Sequence, residues 1–371
     1  MPLPPAKPVL DATSANRAES TAPRRGLFPY AMLCSCLFLV LLAAVVGAVA
    51  VGAVSIPFER VVRIILGRVL PDLVSVDWTP VEEQIVWVFR LPRALLAILV
   101  GSGLAVSGAV LQALARNPLA DPYIFGVSSG ASFSAVAVMT LGSAALGGIS
   151  LTSAAFAGAL LTTILVYLLA QKGGRLTPMR LVLAGVALGY VLSAATSYLV
   201  LRGSKPGGSL SAVLFWLAGS LSRAKWEYLG LPAVVVLAST LFLMLQARPL
   251  NALALGDETA VGLGVGVRRF RLWLFTLTSL LVGTLVSVSG VIGFVGLMVP
   301  HIARMLVGAD HARTLPLIAL MGAVLMVLAD VAARILLAPQ ELPVGIVLAA
   351  VGGPFFIWLL CRRQRGEGAV S

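Results

Sequence analysis

His301 and His311 are the sole histidines of the 371-residue chain, and neither has a second histidine or a cysteine cluster at metal-site spacing. Cys34 and Cys36 would point to different faces of a helix, which disfavours a metal pair or a disulfide, and Cys361 is distant in sequence. Nowhere does the chain read Gly, four residues, Gly, Lys, then Ser or Thr, the loop that cradles nucleotide phosphates. Neither a built-in metal centre nor ATP hydrolysis by this chain alone is therefore expected. The chemistry on offer is charge pairing and hydrogen bonding. Arg90 and Arg93 flank Pro92, and Arg334 lies far along the chain; a guanidinium fork grips a carboxylate at two points. Asp257 and Glu258 sit in a polar stretch, 250–265, with room for two short helices. Gly185, Gly189, Ser193 and Ser197 form a stripe at four-residue spacing. Its hydroxyls could offer rotatable hydrogen bonds to a large solute in a wet passage, or the stripe could pack against another helix.

These residues hang on a chain that is 59% hydrophobic and 11% charged, with mean hydropathy +1.00. A water-soluble core of this size does not need that balance. Charge-free intervals cover 26–58, 94–115, 122–171, 181–201, 228–247, 272–303, 314–329 and 342–361. A helical crossing takes about 20 residues. The 122–171 interval holds two crossings with a turn near Gly142, Gly147 and Gly148. The 272–303 interval holds one full crossing and a shorter piece, interrupted by Gly290, Gly293, Gly296 and Pro300. Ten spans result, and the alternating strands of a barrel are absent.

An even number of spans puts both termini on one side. With that side inside, 17 of the 27 lysines and arginines fall in inner segments, the bias of cytoplasmic loops. Topology thus explains the net charge of +12, and nucleic acid is not an expected partner, because the basic residues form no aromatic-laced patch. Residues 1–26, rich in Pro, Ala and Ser without periodicity, read as a disordered cytoplasmic tail before a ten-helix transmembrane domain over 27–371. The first apolar run is too long for a signal-peptide core and should remain as the first span. Acidic residues and histidines are nearly absent from the spans, which counts against the proton relays of ion-coupled carriers.

Two further stripes of small residues, Gly101, Ala105, Ala109 and Ala113 on the second span and Gly345, Ala349 and Gly353 on the last, have the pattern of close helix packing in lipid. Residues 206–222 are too few to cross. They read as an interfacial or re-entrant half-helix on the outer side, with Trp216 and Trp226 anchored among headgroups. His301, after Pro300, is expected to hydrogen-bond backbone at a broken helix.

Several runs are specific in combination: Arg90-Leu91-Pro92-Arg93; Gly108 and Gln112 with Arg116-Asn117-Pro118-Leu119-Ala120-Asp121-Pro122; residues 126–130; Leu183-Ala184-Gly185; residues 216–221; Leu255-Gly256-Asp257-Glu258; Gly293-Phe294-Val295-Gly296-Leu297 with Pro300 and His301; and Glu341-Leu342-Pro343-Val344-Gly345 with Pro354 and Phe355. In these the chain resembles the FecCD family of permeases, the membrane subunits of type II ABC importers for ferric siderophores, haem and cobalamin, from about residue 27 to 360. The resemblance implies an all-α integral membrane fold of ten transmembrane helices, with a short eighth helix on 299–308. It further implies a homodimer in a bacterial inner membrane with both termini cytoplasmic. Two cytoplasmic ABC ATPase subunits would hold ATP and magnesium, a periplasmic substrate-binding protein would dock outside, and the permease itself would carry no cofactor.

On that resemblance Arg90, Arg93 and Arg334, at the outer ends of the second and ninth spans, dock the binding protein through acidic residues on its two lobes. Snorkelling to headgroups, or for Arg334 a pair with Asp330 one turn away, are the alternatives. Leu255, Gly256, Asp257 and Glu258 become the coupling element seated in a groove of the ATPase, so that ATP-driven closure rocks the helices; an ordinary solvated loop with a capping Asp is the alternative. The turn 173–179 becomes the cytoplasmic gate, constricted at Thr177, Pro178 and Met179, and Gly185, Gly189, Ser193 and Ser197 line the pathway. The competing function is a stand-alone secondary transporter or channel for a small solute. A membrane enzyme has no convergent acid, base or metal constellation behind it. Ferric siderophore, haem and cobalamin stay open as cargo, with an iron chelate preferred on family frequency alone.

Overall fold

A computed structural model describes residues 27–52, 54–70, 75–172, 175–203 and 210–367. The expected tail, 1–26, lies outside the described residues. The two membrane faces are called inner and outer on the orientation that the basic residues predict.

Helix α1 (Leu27–Ala50) is apolar throughout, whereas α2 (Phe58–Val69) is amphipathic and buries Val61 and Ile64. Thr79 then caps a long helix: its hydroxyl accepts from the Glu82 amide while Glu82 accepts from the Thr79 amide. The single turn α3 (Pro80–Glu83) runs through a π-helical stretch, Gln84–Arg90, into α4 (Leu91–Ala115). Together they make 36 continuous residues. The second span therefore starts well before the charge-free interval at 94, and Arg90 and Arg93 lie within it, Arg90 donating to backbone carbonyls and Arg93 paired with carboxylates.

The chain then forms a 3-10 turn at Pro122–Phe125, α5 (Val127–Leu141) and α6 (Leu151–Ala170). A two-residue antiparallel ladder, Gln171–Lys172 with Arg175–Leu176, leads into α7 (Pro178–Gly203). The half-helix α8 (Leu210–Leu217) and α9 (Gly230–Leu245) follow. Two short inner helices, α10 (Ala247–Leu255) and α11 (Asp257–Gly262), precede α12 (Val267–Ser289), α13 (Val295–Val307), α14 (His311–Ile335) and α15 (Val344–Glu367). Among the described residues seven helices are long and apolar enough to cross a membrane, and Val127–Leu141, Val295–Val307 and Val344–Leu359 are shorter apolar helices. This inventory is consistent with ten helical spans.

Lipid gives apolar helices no reason to prefer each other, so packing depends on close approach and a few polar ties. Helix α4 sits at the centre, and its broadest contact is with α14. A Cβ on Gly101 would strike the Gly322 carbonyl, and one on Gly322 would strike the Gly101 carbonyl. Beside them Ser102 Oγ donates to the Ala319 carbonyl at 2.9 Å. Two turns further inward on nearly the same side of α4, Gly108 lies against the backbone of Gly296 in α13. The stripe on the second span is thus a packing surface.

The break before α13 falls at residues 290–294, and the helix begins at Val295, not at 299. Gly296 and Pro300 lie inside it. Two partners fix that boundary. Tyr123 Oη donates to the Ile292 carbonyl and accepts from the Ile292 amide at 2.8 Å, which satisfies the unwound backbone. Pro300 has no amide proton to give the Gly296 carbonyl four residues back; Gln112 Nε2 donates to that carbonyl instead, at 3.1 Å. Trp216 differs from expectation as well. It is buried, because α8 folds back onto the break and sets the Trp216 carbonyl against Gly290. Trp226 is exposed and stacks on Trp87, with ring centroids 5.1 Å apart. The His301 ring packs edge-on against Phe355 at 6.2 Å rather than serving the backbone.

Overpacking a tight helix contact costs about 1–3 kcal/mol or more. Gly101→Val should therefore lower the thermal unfolding midpoint and the yield of monodisperse protein. Gly353→Ala, where no atom lies within 4 Å of an added Cβ, should leave both unchanged.

Candidate functional site

At the outer end, the π-helical stretch, α4 and α14 bring all three sequence-picked arginines to one place. Arg93 Nε lies 3.0 and 3.1 Å from the two Asp330 carboxylate oxygens, and its Nη1 donates to Glu341 at 2.8 Å. Arg334 Nε sits 3.3 Å from the same Asp330 and its Nη1 donates to the Val51 carbonyl at 3.1 Å. The pair of Arg334 with Asp330 is therefore present, and Arg93 shares it. Arg90 has no carboxylate partner among the described residues. It donates to the carbonyls of Val49, Ala50 and Val54 at 2.8, 2.9 and 2.5 Å, so a cation closes the C-terminal end of α1 where the helix dipole is negative. The Asp330 side chain is 2% exposed and that of Arg93 11%. What remains open of the cluster lines a cavity of about 470 Å³ whose rim carries Glu341. The guanidiniums are thus recessed and already engaged rather than free at the surface.

At the inner end, α10 and α11 form a bent arm. Gly256 joins them at φ 136°, a conformation that L side chains rarely adopt. Leu255, Val261 and Leu263 are exposed along the arm, as is Glu258. Asp257 caps nothing: it accepts from Arg271 Nη2 of α12 at 2.6 Å and pairs with Arg116, which ends α4 in a left-handed conformation. One carboxylate therefore ties the arm to α4 and α12. A second tie comes from Asn251, which sequence reasoning missed. Its Oδ1 accepts from the His311 amide at 2.9 Å and lies 2.6 Å from His311 Nδ1, which places the ring proton on Nδ1. Its Nδ2 donates to Asp310 at 2.7 Å, and Asp310 in turn caps α14 through the Ala312 amide. The Asn251 amide, ahead of that cap, holds the Asp310 carboxyl below the usual carboxylate range. Nothing local marks Asn251, whose partners lie 59 and 60 residues on.

Between these ends, α5 and α7 enclose a cavity of about 440 Å³ lined by the hydroxyls of Ser128, Ser132, Ser193, Thr196 and Ser197. Ser193 and Ser197 are exposed on the surface of the single chain. Ser197 Oγ donates to the Ser193 carbonyl at 3.0 Å and keeps its lone pairs for the cavity. The other half of the stripe packs: Gly185 lies against the backbone of Ile124 and Phe125, and Gly189 faces Ser129 Oγ. Sequence reasoning missed the facing serines of α5, whose signal was a cluster of hydroxyls at 128, 129 and 132. Thr177 precedes α7, Pro178 opens it, and Met179 is exposed at its inner end. Residues 173–174 of the expected gate turn lie outside the described residues.

The FecCD transport family matches residues 37–362. The chain is 39% identical over 343 residues to the hemin transport system permease protein HmuU of Yersinia pestis, covering 88% of this chain and 95% of that one. It is 41% identical over 290 residues to the vitamin B12 import system permease protein BtuC of Citrobacter koseri, covering 78% and 87%. Identity to the cobalamin import system permease protein BtuC of Halobacterium salinarum is 44% over 282 residues, covering 76% and 74%. Among solved structures, an inward-facing conformation of a metal-chelate type ABC transporter is similar with a TM-score of 0.76 at 34% identity, covering 89% of this chain and 99% of that one.

Removing one partner of a buried ion pair costs about 3–5 kcal/mol, because the other charge is left uncompensated. Asp330→Asn leaves Arg334 without a carboxylate and Arg93 with Glu341 alone. A large fall in unfolding midpoint is expected, partly restored in the double variant Asp330→Asn/Arg93→Gln; a scanning thermal assay on the purified chain reads both.

Proposed function

The chain belongs to the FecCD transport family, and from that premise we propose that it is the permease subunit of a bacterial ABC importer for a metal chelate, haem or cobalamin. The hydroxyl-lined cavity on the exposed side of α7 carries the reading. A polar concavity facing hydrocarbon is costly, since lipid offers it no hydrogen bonds. A second copy of the chain across α7 would close it into a polar passage with twice the lining, suited to a large solute. Haem and cobalamin, named for the relatives, and the metal chelate of the similar structure set the cargo class.

Energy comes from outside the chain, with ATP and magnesium on two separate ATPase subunits. The inner arm is shaped to receive their motion. Its exposed Leu255, Val261 and Leu263 offer an apolar surface to a groove. Asp257 and Asn251 then pass displacement to α4, α12 and α14. Thr177, Pro178 and Met179, at the inner end of the passage-lining helix, form the cytoplasmic gate. On the outer face a periplasmic binding protein brings carboxylates to Arg93 and Arg334 in competition with Glu341, while Arg90 holds the cluster against α1. The basic-residue bias supports an inner-membrane protein with both termini cytoplasmic.

Reconstitution of the permease in proteoliposomes with its ATPase and binding protein tests this. Uptake of haem, cobalamin or a ferric siderophore should require ATP and both partners. Uptake driven by an ion gradient through the permease alone would overturn the reading. In the same assay Gly256→Val, which forces a side chain into the bent arm, should cut uptake at least about tenfold while ATP hydrolysis persists.

A further inference from the structure

The turn between α13 and α14 borders a cavity of about 220 Å³ on the inner face that the transport reading leaves unused. Gln112, Arg116, Asn117, Arg304, His311 and Thr314 line it. Arg304 projects from the last turns of α13, and among the described residues its one side-chain hydrogen bond runs from Nη2 to Gln112 Oε1, a neutral partner, at 2.5 Å. No carboxylate lies within ion-pair distance of it among the described residues. Arg304 itself lines the cavity.

The nearby acids are already committed. Asp257 serves both Arg116 and Arg271, and Asp310 serves Asn251 and the first turn of α14. One carboxylate for two guanidiniums at Asp257, and none for Arg304, leaves the wall of the cavity net positive. Arg116 also holds a left-handed backbone, at φ 48°, which is uncommon for a non-glycine residue. A concave, cationic site with amide and hydroxyl donors fits a tetrahedral oxyanion with several acceptor oxygens.

We propose that this cavity binds a phosphate group. Free inorganic phosphate and the headgroup phosphate of an inner-leaflet lipid present the same chemistry to it. The occupant would rest against Ala254, two residues before the bend at Gly256, and so brace the arm that meets the ATPase. Binding at this site is independent of the cargo, so it can be measured without transport.

The purified full chain, in maltoside micelles stripped of phospholipid, is titrated with sodium phosphate at constant ionic strength while tryptophan fluorescence follows thermal unfolding. The midpoint should rise saturably with phosphate and not with chloride. Arg304→Gln removes charge-assisted hydrogen bonds, so half-saturation should move at least about tenfold higher. Arg304→Lys keeps the charge without the fork and should weaken binding several-fold, which decides the matter if the glutamine variant does not fold. Arg223→Gln, on the outer face, should change nothing. Nanodiscs containing phosphatidylglycerol distinguish the sources: a headgroup occupant abolishes the response to added phosphate, and a free-phosphate site retains it. An equal response in the Arg304 variants, or to chloride, overturns the proposal. So does loss of the response in the stripped micelles when the ATPase is added, because the guanidiniums would then serve that protein.

Discussion

Asp330 is an acid in the middle of apolar helices, and its carboxylate must be neutralised where it lies. Arg93 reaches it from α4 and Arg334 from one turn further along α14. That choice of partners fixes the register of the two antiparallel helices. Gly101 follows Arg93 by eight residues and Gly322 precedes Asp330 by eight, so the glycine contact falls about 12 Å below the ion pairs on both helices. Continuing inward along the same register, Gln112 and His311 arrive together at the inner cavity. A slip of one residue would swing the carboxylate about 100° away and press side chains into the glycine contact. Electrostatics and sterics therefore specify one alignment, which lipid alone would not.

This pair of helices is the frame that the mobile parts work against. Helix α14 runs unbroken from the Asn251 tie at the inner face to the arginine cluster at the outer, roughly 37 Å at 1.5 Å per residue over its 25 residues. Helix α7 is the opposite case. It exposes Met179, Leu183, Tyr190, Val191, Tyr198 and Leu201, and within its own chain it packs chiefly on α5 and α6. That exposed face is the one a second copy of the chain would cover in the proposed importer. Asp257 and Asn251 thus tie the inner arm to α4, α12 and α14, while α7 lines the hydroxyl cavity.

How much of this the sequence disclosed depended on the range of the interaction. Charge-free intervals located the helices because burial in lipid acts on about 20 consecutive residues at once. The half-helix before Ser222 and the two short helices around Gly256 were legible for the same reason, as segments too short or too polar to cross. The start of α13 was misplaced. Gly296 and Pro300 look like breakers locally, but the orphaned Gly296 carbonyl is met by Gln112, 184 residues away, and the unwound backbone by Tyr123. Likewise Arg93 looked like a free cation at a helix mouth because its acid lies 237 residues on. Ser193 and Ser197 could equally have been packing residues until the serines of α5 were seen opposite them.

The same accounting of backbone groups explains where polarity is spent and where it is left over. Around the α12–α13 break several peptide groups have partners outside the regular helix ladder: Tyr123 at Ile292, Gln112 at Gly296, and the Ser220 amide on the Ser289 carbonyl at 2.8 Å. The cavity beside α7 is lined instead by hydroxyls, several of which already donate to their own helix, as Thr196 does to Leu192 and Ser197 to Ser193. Such groups accept and exchange hydrogen bonds with water at little net gain, about 1 kcal/mol each. A surface of that kind wets easily and holds nothing tightly. On the proposed importer reading, a lining of that kind passes a large polar solute without selecting it, and discrimination then falls to a step before the solute enters.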